Sequence, residues 1–240
     1  MKYVIADIHG NERRFNSIMK QINLQPTDTL YVLGDVIDRY PDGIKILRRI
    51  MAMPNARMLL GNHEYMMLNA LTQPARHPDN PWERSLPNRD LSLWYHNGGK
   101  VTHEYLKRIR KSVRQEIFEF LYALPLNYDV EVNGIKYKLV HGSPLENYEH
   151  SGRFYEDATE FAVWERWTEC DYVPEGYILV FGHTPTTHFH NKNPLQIWYS
   201  DEAIGIDCGS GFPTTNNKYL EQGRLACLRL DDMKEFYSER

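Results

Sequence analysis

Six residues able to ligate a metal ion share one context in this chain. Asp7, His9, Asp35, Asn62, His141 and His183 each stand at or just past the end of a short apolar run. "YVIAD" leads through Ile8 to His9, "LYVLGD" delivers Asp35, "MLLGN" delivers Asn62, "YKLVHG" carries His141, and "ILVFGH" ends on His183. Asp7 or Asn62 alone could cap a following helix, as Asp and Asn usually do after a strand. His141 and His183 have no capping role to play. Five strand ends carrying such side chains therefore point to one shared site.

The donor set is mixed oxygen and nitrogen with no thiolate, which suits manganese, iron or zinc rather than calcium or a structural zinc. It predicts two divalent ions, manganese first, with iron or zinc fitting the same donors. Two carboxylates cannot neutralise two divalent cations, so the site keeps a positive surplus for a phosphate dianion. Paired ions about 3.5–4 Å apart clamp the attacking and leaving oxygens of an in-line displacement and acidify water. One carboxylate must bridge such a pair, and Asp35 is the better candidate.

The elements that must position these residues are readable in outline. "KYVIA" is followed by an amphipathic stretch from Glu12 to Ile22, "TLYVL" by "DGIKILRRIMAM", and "ARMLL" by "EYMMLNAL". Strand alternating with helix signals a βαβ-type sheet, and ligands bind beyond the carboxyl ends of strands in such sheets. Thr72 to Asp90 lacks periodicity and reads as a long functional loop. Ile109, Val113, Ile117, Leu121 and Leu124 recur at helical spacing, with the basic run "LKRIRKSVR" as the solvated face of that helical section. "YDVEV" and "IKYKLV" flank Asn133-Gly134, a hairpin signal. "YILVF", "LQIWYS", "AIGID" and "RLACLRL" complete a strand-rich second half. The expected fold is α/β, a mixed β-sandwich flanked by helices with the metal site at the strand C-terminal ends. One domain is expected over residues 1–240, with a loop and helical insertion at about 72–125.

The totals fit a globular enzyme. The chain has 240 residues, 42% hydrophobic and 25% charged, with a formal net charge of -4. That charge argues against a nucleic-acid partner bound through a basic surplus. No segment approaches the roughly 20 apolar residues of a membrane span, and the apolar start is cut by Asp7, so a cytoplasmic location is expected. Cys170, Cys208 and Cys227 read as buried, reduced thiols. Nothing in the sequence speaks to oligomeric state.

The motifs "ADIHG" (6–10), "GDVIDR" (34–39), "GNHE" (61–64), "HG" (141–142) and "GH" (182–183) resemble, in order, those of the metal-dependent phosphoprotein phosphatases among the calcineurin-like metallophosphoesterases. The resemblance implies that Asp7, His9 and Asp35 hold one metal. Asp35, Asn62, His141 and His183 would hold the other. It makes His63 the general acid for the leaving oxygen, oriented by Asp38, with Arg39 and Arg166 of "VWERW" binding phosphoryl oxygens. The residues themselves agree. His63 follows a ligand, and two cations would strip its proton unless a carboxylate such as Asp38 restored it. Arg39 and Arg166 offer planar forks that match phosphate oxygens. Glu64 reads equally as a helix-start carboxylate or as a group supporting the ligands.

The chain departs from the pattern at Tyr40 and Ser143, where glycine is usual, and both are expected to line the site. The "IGIDCGSG" and "LWYHNGGKVT" segments resemble the bacterial branch that includes diadenosine tetraphosphatases, although Gly98-Gly99 also reads as a plain helix stop. The first-ranked activity is a serine/threonine phosphoprotein phosphatase in which metal-activated water attacks phosphorus directly. The alternative is a dinucleoside polyphosphate hydrolase. The partner is accordingly a phosphorylated protein or a small phosphorylated substrate. Arg76, His77, Trp82, Arg84 and Arg89 of the long loop could clamp a nucleotide or line a peptide groove. A catalytically inert scaffold would lack ligands or the acid, and a nuclease fits the acidic charge poorly.

Overall fold

The computed structural model describes residues 1–72, 89–189, 193–212 and 223–239. Two five-stranded sheets face one another. The first has the order β10-β9-β1-β2-β3, with β1 (Lys2–Ile5), β2 (Thr29–Val32) and β3 (Ala56–Met58) parallel and β9 (Ala226–Arg229) and β10 (Lys234–Tyr237) antiparallel on one edge. The second has the order β4-β5-β6-β8-β7. There β5 (Ile135–Val140), β6 (Tyr177–Phe181) and β8 (Ala203–Gly205) are parallel, flanked by antiparallel β4 (Asn127–Val132) and β7 (Trp198–Tyr199).

Side-chain alternation along the strands builds the layers. Val4, Leu139, Val180, Ile204 and Leu228 meet in the core between the sheets. Tyr3, Ile5, Leu30, Val32 and Cys227 point the other way, into a second core under the helices. That core is closed by α1 (Glu12–Ile22), α2 (Gly43–Met51) and α3 (Asn62–Thr72), and by α4 (Arg89–His96), α5 (Lys100–Leu106) and α6 (Lys111–Tyr122), which lie between α3 and β4 in the chain. The outer face of the second sheet packs Leu179, Phe181, Trp167 and Trp198 into a smaller cluster. α7 (Ala158–Trp164) packs on α3 and gives Val163 to the core under the helices.

The mixed sandwich and the βαβ start stand as expected, and so does the hairpin. Asn133 and Gly134 both take left-handed backbone (φ 52 and 81), as a two-residue type I′ turn requires. Other expectations need correction. The apolar period from Ile109 to Leu124 belongs mainly to one helix, with Val113, Ile117 and Leu121 on α6 and Ile109 in the turn before it; α5 ends at Leu106 and α6 starts at Lys111, so "LKRIRKSVR" spans that turn, not one helix face. The exposed cations Lys107, Arg108, Arg110 and Lys111 lie in and around that turn. "LQIWYS" yields only a two-residue strand, and β10 was not anticipated. Cys208 and Cys227 are buried free thiols, but Cys170 is exposed. Most of the loop expected at Thr72–Asp90, including Arg76, His77, Trp82 and Arg84, lies outside the described residues.

Leu139 is fully buried between the sheets. Leu139→Ala should cost roughly 2–5 kcal/mol through lost transfer energy and a cavity, read as a lower urea midpoint with the slope unchanged. An unshifted midpoint would mean that this inter-sheet core does not hold the fold.

Candidate metal centre

The expected residues converge because six parallel strands end at one place. β1, β2 and β3 deliver Asp7, His9, Asp35 and Asn62, while β5, β6 and β8 deliver His141, His183 and Asp207. Backbone hydrogen bonds join neighbouring strand ends: His9 N–H donates to Asp35 O (2.9 Å), Gly10 to Val36 (2.7 Å) and Gly182 to His141 (3.0 Å). Two contacts stitch the sheets together. His183 N–H donates to the Asp7 carboxylate (3.0 Å), and His141 Nδ1 donates to the Leu33 carbonyl (2.6 Å).

Asp35 sits at the centre, almost wholly buried. Its Oδ2 lies 3.7 Å from His9 Nε2 and 3.8 Å from His63 Nε2. Its Oδ1 lies 3.5 Å from His141 Nε2. Two compact donor groups result, His9–Asp35–His63 and Asp35–His141–His183, sharing Asp35. Asp7 lies outside both groups. Its carboxylate accepts from His183 N–H and faces Asp35 and Asp207, and burial with those two charges pushes its pKa well up.

The protonation pattern shows that these donors fit cations. Burial lowers the pKa of His9, His141 and His183, so the imidazoles are neutral. Each uses one nitrogen on a backbone carbonyl: His9 Nδ1 on Ile37 (3.3 Å), His141 Nδ1 on Leu33 and His183 Nε2 on Trp164 (3.1 Å). A carbonyl only accepts, so that nitrogen carries the proton and the other presents a lone pair. At His141 the lone pair of Nε2 lies 2.9 Å from Asn62 Oδ1, itself an acceptor. In that tautomer a cation would find two lone pairs there. Burial would raise the Asp35 carboxyl, but the cluster of histidines packed around it, with the His63 charge among them, holds it below its ordinary value.

His63 is placed differently. Its Nδ1 bonds Asp38 Oδ2 at 2.7 Å, and its Nε2 is approached by the Arg39 guanidinium at 3.3 Å. Burial alone would lower its pKa, but the Asp35 charge and the Asp38 hydrogen bond hold it above the usual value. Arg39 is exposed at the mouth of the site, and Arg166 Nη1 donates to the His183 carbonyl (2.8 Å). Glu64 supports the ligands rather than the helix start. Its carboxylate accepts from the N–H groups of Asp35 (2.9 Å), Val36 (2.9 Å) and Ile37 (3.3 Å).

The family model of the calcineurin-like phosphoesterases matches residues 3–209. The chain belongs to this family. Among similar proteins of this phosphoesterase, a symmetrical bis(5'-nucleosyl)-tetraphosphatase of Photorhabdus laumondii is 43% identical over 68 residues, 28% of this chain and 25% of the relative. One of Acidovorax sp. is 36% identical over 96 residues, 38% of this chain and 34% of the relative. The matches thus span about a quarter to a third of those relatives' length. A metallophosphoesterase from Sphaerobacter thermophilus superposes with a TM-score of 0.55 at 16% identity, covering 99% of this chain and 87% of that one. A protein serine/threonine phosphatase from Saccharomyces cerevisiae gives 0.53 at 12% identity, covering 100% and 79%. These two likenesses concern the fold.

Sequence reasoning missed Asp207 in this phosphoesterase. It is buried beside Asp7, Arg39 and Arg166, accepts from Gly209 N–H (2.9 Å), and is pushed up to about 6, chiefly by burial. Its position at the end of "AIGID" matched the other strand ends and could have found it. Tyr40 and Ser143, where the sequence departs from the family pattern, both have internal partners. The Tyr40 hydroxyl donates to the Phe212 carbonyl (2.8 Å), and Ser143 is buried, with Asn147 Nδ2 at 3.4 Å from its Oγ. Among the described residues no helix is long and apolar enough to cross a membrane.

Glu64 is fully buried, and burial followed by the Asp35 charge pushes its carboxyl up to about 7. Glu64→Gln turns an amide N–H toward the backbone N–H groups that now donate to it. The change should cost about 1–3 kcal/mol of stability and weaken manganese binding by roughly 10–100-fold, measured by urea unfolding and calorimetric titration. Unchanged affinity would mean that the Asp35 loop does not depend on Glu64.

Proposed function

We propose that this chain hydrolyses a phosphoanhydride of a dinucleoside polyphosphate, of the diadenosine tetraphosphate type, at two divalent ions. The observation that carries the proposal is the Asp35 carboxylate turned by its two oxygens toward two histidine groups, with the His63–Asp38 pair beside it. The names of relatives that share up to 43% identity in part of the chain support the dinucleotide over the phosphoprotein. The second choice of the sequence reading therefore becomes the first. A location in the cytoplasm, manganese as the ion and one domain over 1–240 are parts of the same proposal.

Asp7, His9, Asp35, Asn62, His141 and His183 would hold the ions. When bound, such ions acidify water and neutralise charge on the phosphoryl oxygens. The protein's own work is positioning and proton transfer. Arg39 and Arg166 bind equatorial phosphoryl oxygens, where charge builds up in the transition state. His63 donates the proton on Nε2 to the leaving oxygen, and Asp38 holds Nδ1 so that Nε2 faces the reacting group. Two cations would tend to deprotonate His63, and Asp38 with Asp35 opposes them.

The test compares kcat/KM of the manganese-loaded protein on diadenosine tetraphosphate and on a phosphothreonine peptide, with and without chelator. The dinucleotide should be preferred, with ADP as nucleotide product. Chelation should abolish turnover, and His63→Asn should lower kcat by roughly 10²–10⁴-fold. Preference for the peptide would return the chain to phosphomonoester hydrolysis, and turnover that survives chelation would refute the dinuclear site.

A further inference from the structure

The helices between α3 and β4 reach back into the centre through one side chain and one turn. Trp94 on α4 is fully buried, and its indole Nε1 donates to Asp38 Oδ2 at 2.8 Å. That same oxygen accepts from His63 Nδ1. The other carboxylate oxygen, Oδ1, is buried and has no partner. Solvent therefore does not orient Asp38; the two donors on Oδ2 do. Thr102 on α5, also buried, takes the Asp38 backbone N–H on its Oγ1 at 3.1 Å. Between the two helices, Gly98 O accepts from Arg39 N–H at 3.2 Å. Gly98 has a left-handed backbone (φ 96), and a Cβ there would come within 3.0 Å of the Arg39 side chain.

These contacts act where the backbone is strained. Asp38 and Arg39 are consecutive left-handed residues (φ 70 and 66), an arrangement that L-residues avoid and that persists only when surroundings over-determine it. Tyr40 N–H adds a bond to His9 O (3.1 Å). Beyond the contacts with His63, Trp94, Gly98 and Thr102 restrain the pair from the side of the helices.

We propose that Trp94 and Thr102, with the Gly98 carbonyl, are positioning residues that clamp Asp38 and Arg39. Through them they aim the His63 imidazole and the Arg39 guanidinium. This rests on the phosphohydrolase reading above for its chemistry, but not for its contacts. The "LWYHNGGKVT" segment thereby has a use beyond stopping a helix: its tryptophan, first glycine and threonine are three sides of one clamp.

The test uses the full, manganese-loaded chain as Trp94→Phe, Thr102→Val and Thr102→Ser. Substrates are diadenosine tetraphosphate and a series of aryl phosphates with phenols of increasing basicity. Trp94→Phe keeps the ring packing and removes the N–H; Thr102→Val keeps the shape and removes the hydroxyl. In both, kcat should fall on the order of tenfold with KM unchanged, and the loss should grow as the leaving phenol becomes more basic. That trend marks a misplaced acid, which a generally loosened structure would not produce. Thr102→Ser should restore the rate. Losses uniform across the series, or a serine variant as slow as valine, would overturn the proposal. Proton NMR of the metal-free protein is the second measurement. The Trp94 indole N–H resonance should shift in Asp38→Ala, and an unmoved resonance would overturn the clamp whatever the kinetics. Wild-type protein that turned over none of these substrates would refute the phosphohydrolase reading, and with it the catalytic part of this one.

Discussion

Among the described residues, Asp35 carries a demand that no other shares. One carboxylate, buried and surrounded by four histidines, must serve two groups of donors at once, and each of its oxygens faces one of them. A side chain can do this only if strands from both sheets end around it with their loops held still. The sandwich supplies that condition. β1, β2 and β3 approach from one sheet and β5, β6 and β8 from the other. The bonds from His183 N–H to Asp7 and from His141 Nδ1 to Leu33 fasten the two sheets together at that point. The facing lone pairs of His141 and Asn62 follow from the same constraint. The protein holds these two donor atoms 2.9 Å apart.

Holding them there strains the backbone. Asp7, His9, Asp35, Asp38, Arg39 and His183 all have positive φ, between 51 and 70. Each left-handed residue costs roughly 1–2 kcal/mol for a side chain with a Cβ, somewhat less for Asp. Strain of this kind clusters at functional sites when the surroundings over-determine it. Here the surroundings are identifiable: Glu64 gathers three consecutive N–H groups after β2, and strand-end bonds join His9 to Asp35 and Gly10 to Val36. Family membership and a fold shared with distant phosphatases are consistent with a scaffold whose rigid strand ends persist while its loops vary.

Much of this was legible before any coordinates. Asp7, His9, Asp35, Asn62, His141 and His183 could be found because a parallel strand buried on both faces reads as a near-continuous apolar run, and the first polar residue beyond it stands out. Asp207 follows the same rule and was overlooked. What could not be read depends on tertiary partners. The hydrophobic period from Ile109 to Leu124 begins in the turn before α6, because Ile109 packs on the same core as Ile117 and Leu121 of that helix. Only Phe236 of β10 is buried, so its strand had no alternating signature. Trp94 carried no signal of its own in the sequence, since its N–H acquires meaning only once Asp38 is seen beside it. The substrate was least legible, because the chemistry of attack on phosphorus is common to both candidate substrates.

The claim most exposed to refutation is that Asp35 serves two ions together. Manganese binding to the metal-free chain should be titrated calorimetrically, with bound metal counted by elemental analysis, for the wild type and for Asp35→Asn. The account predicts two ions per wild-type chain and loss of both, not one, in the variant, because the two donor groups share this carboxylate. A variant that keeps one ion at wild-type affinity would contradict it.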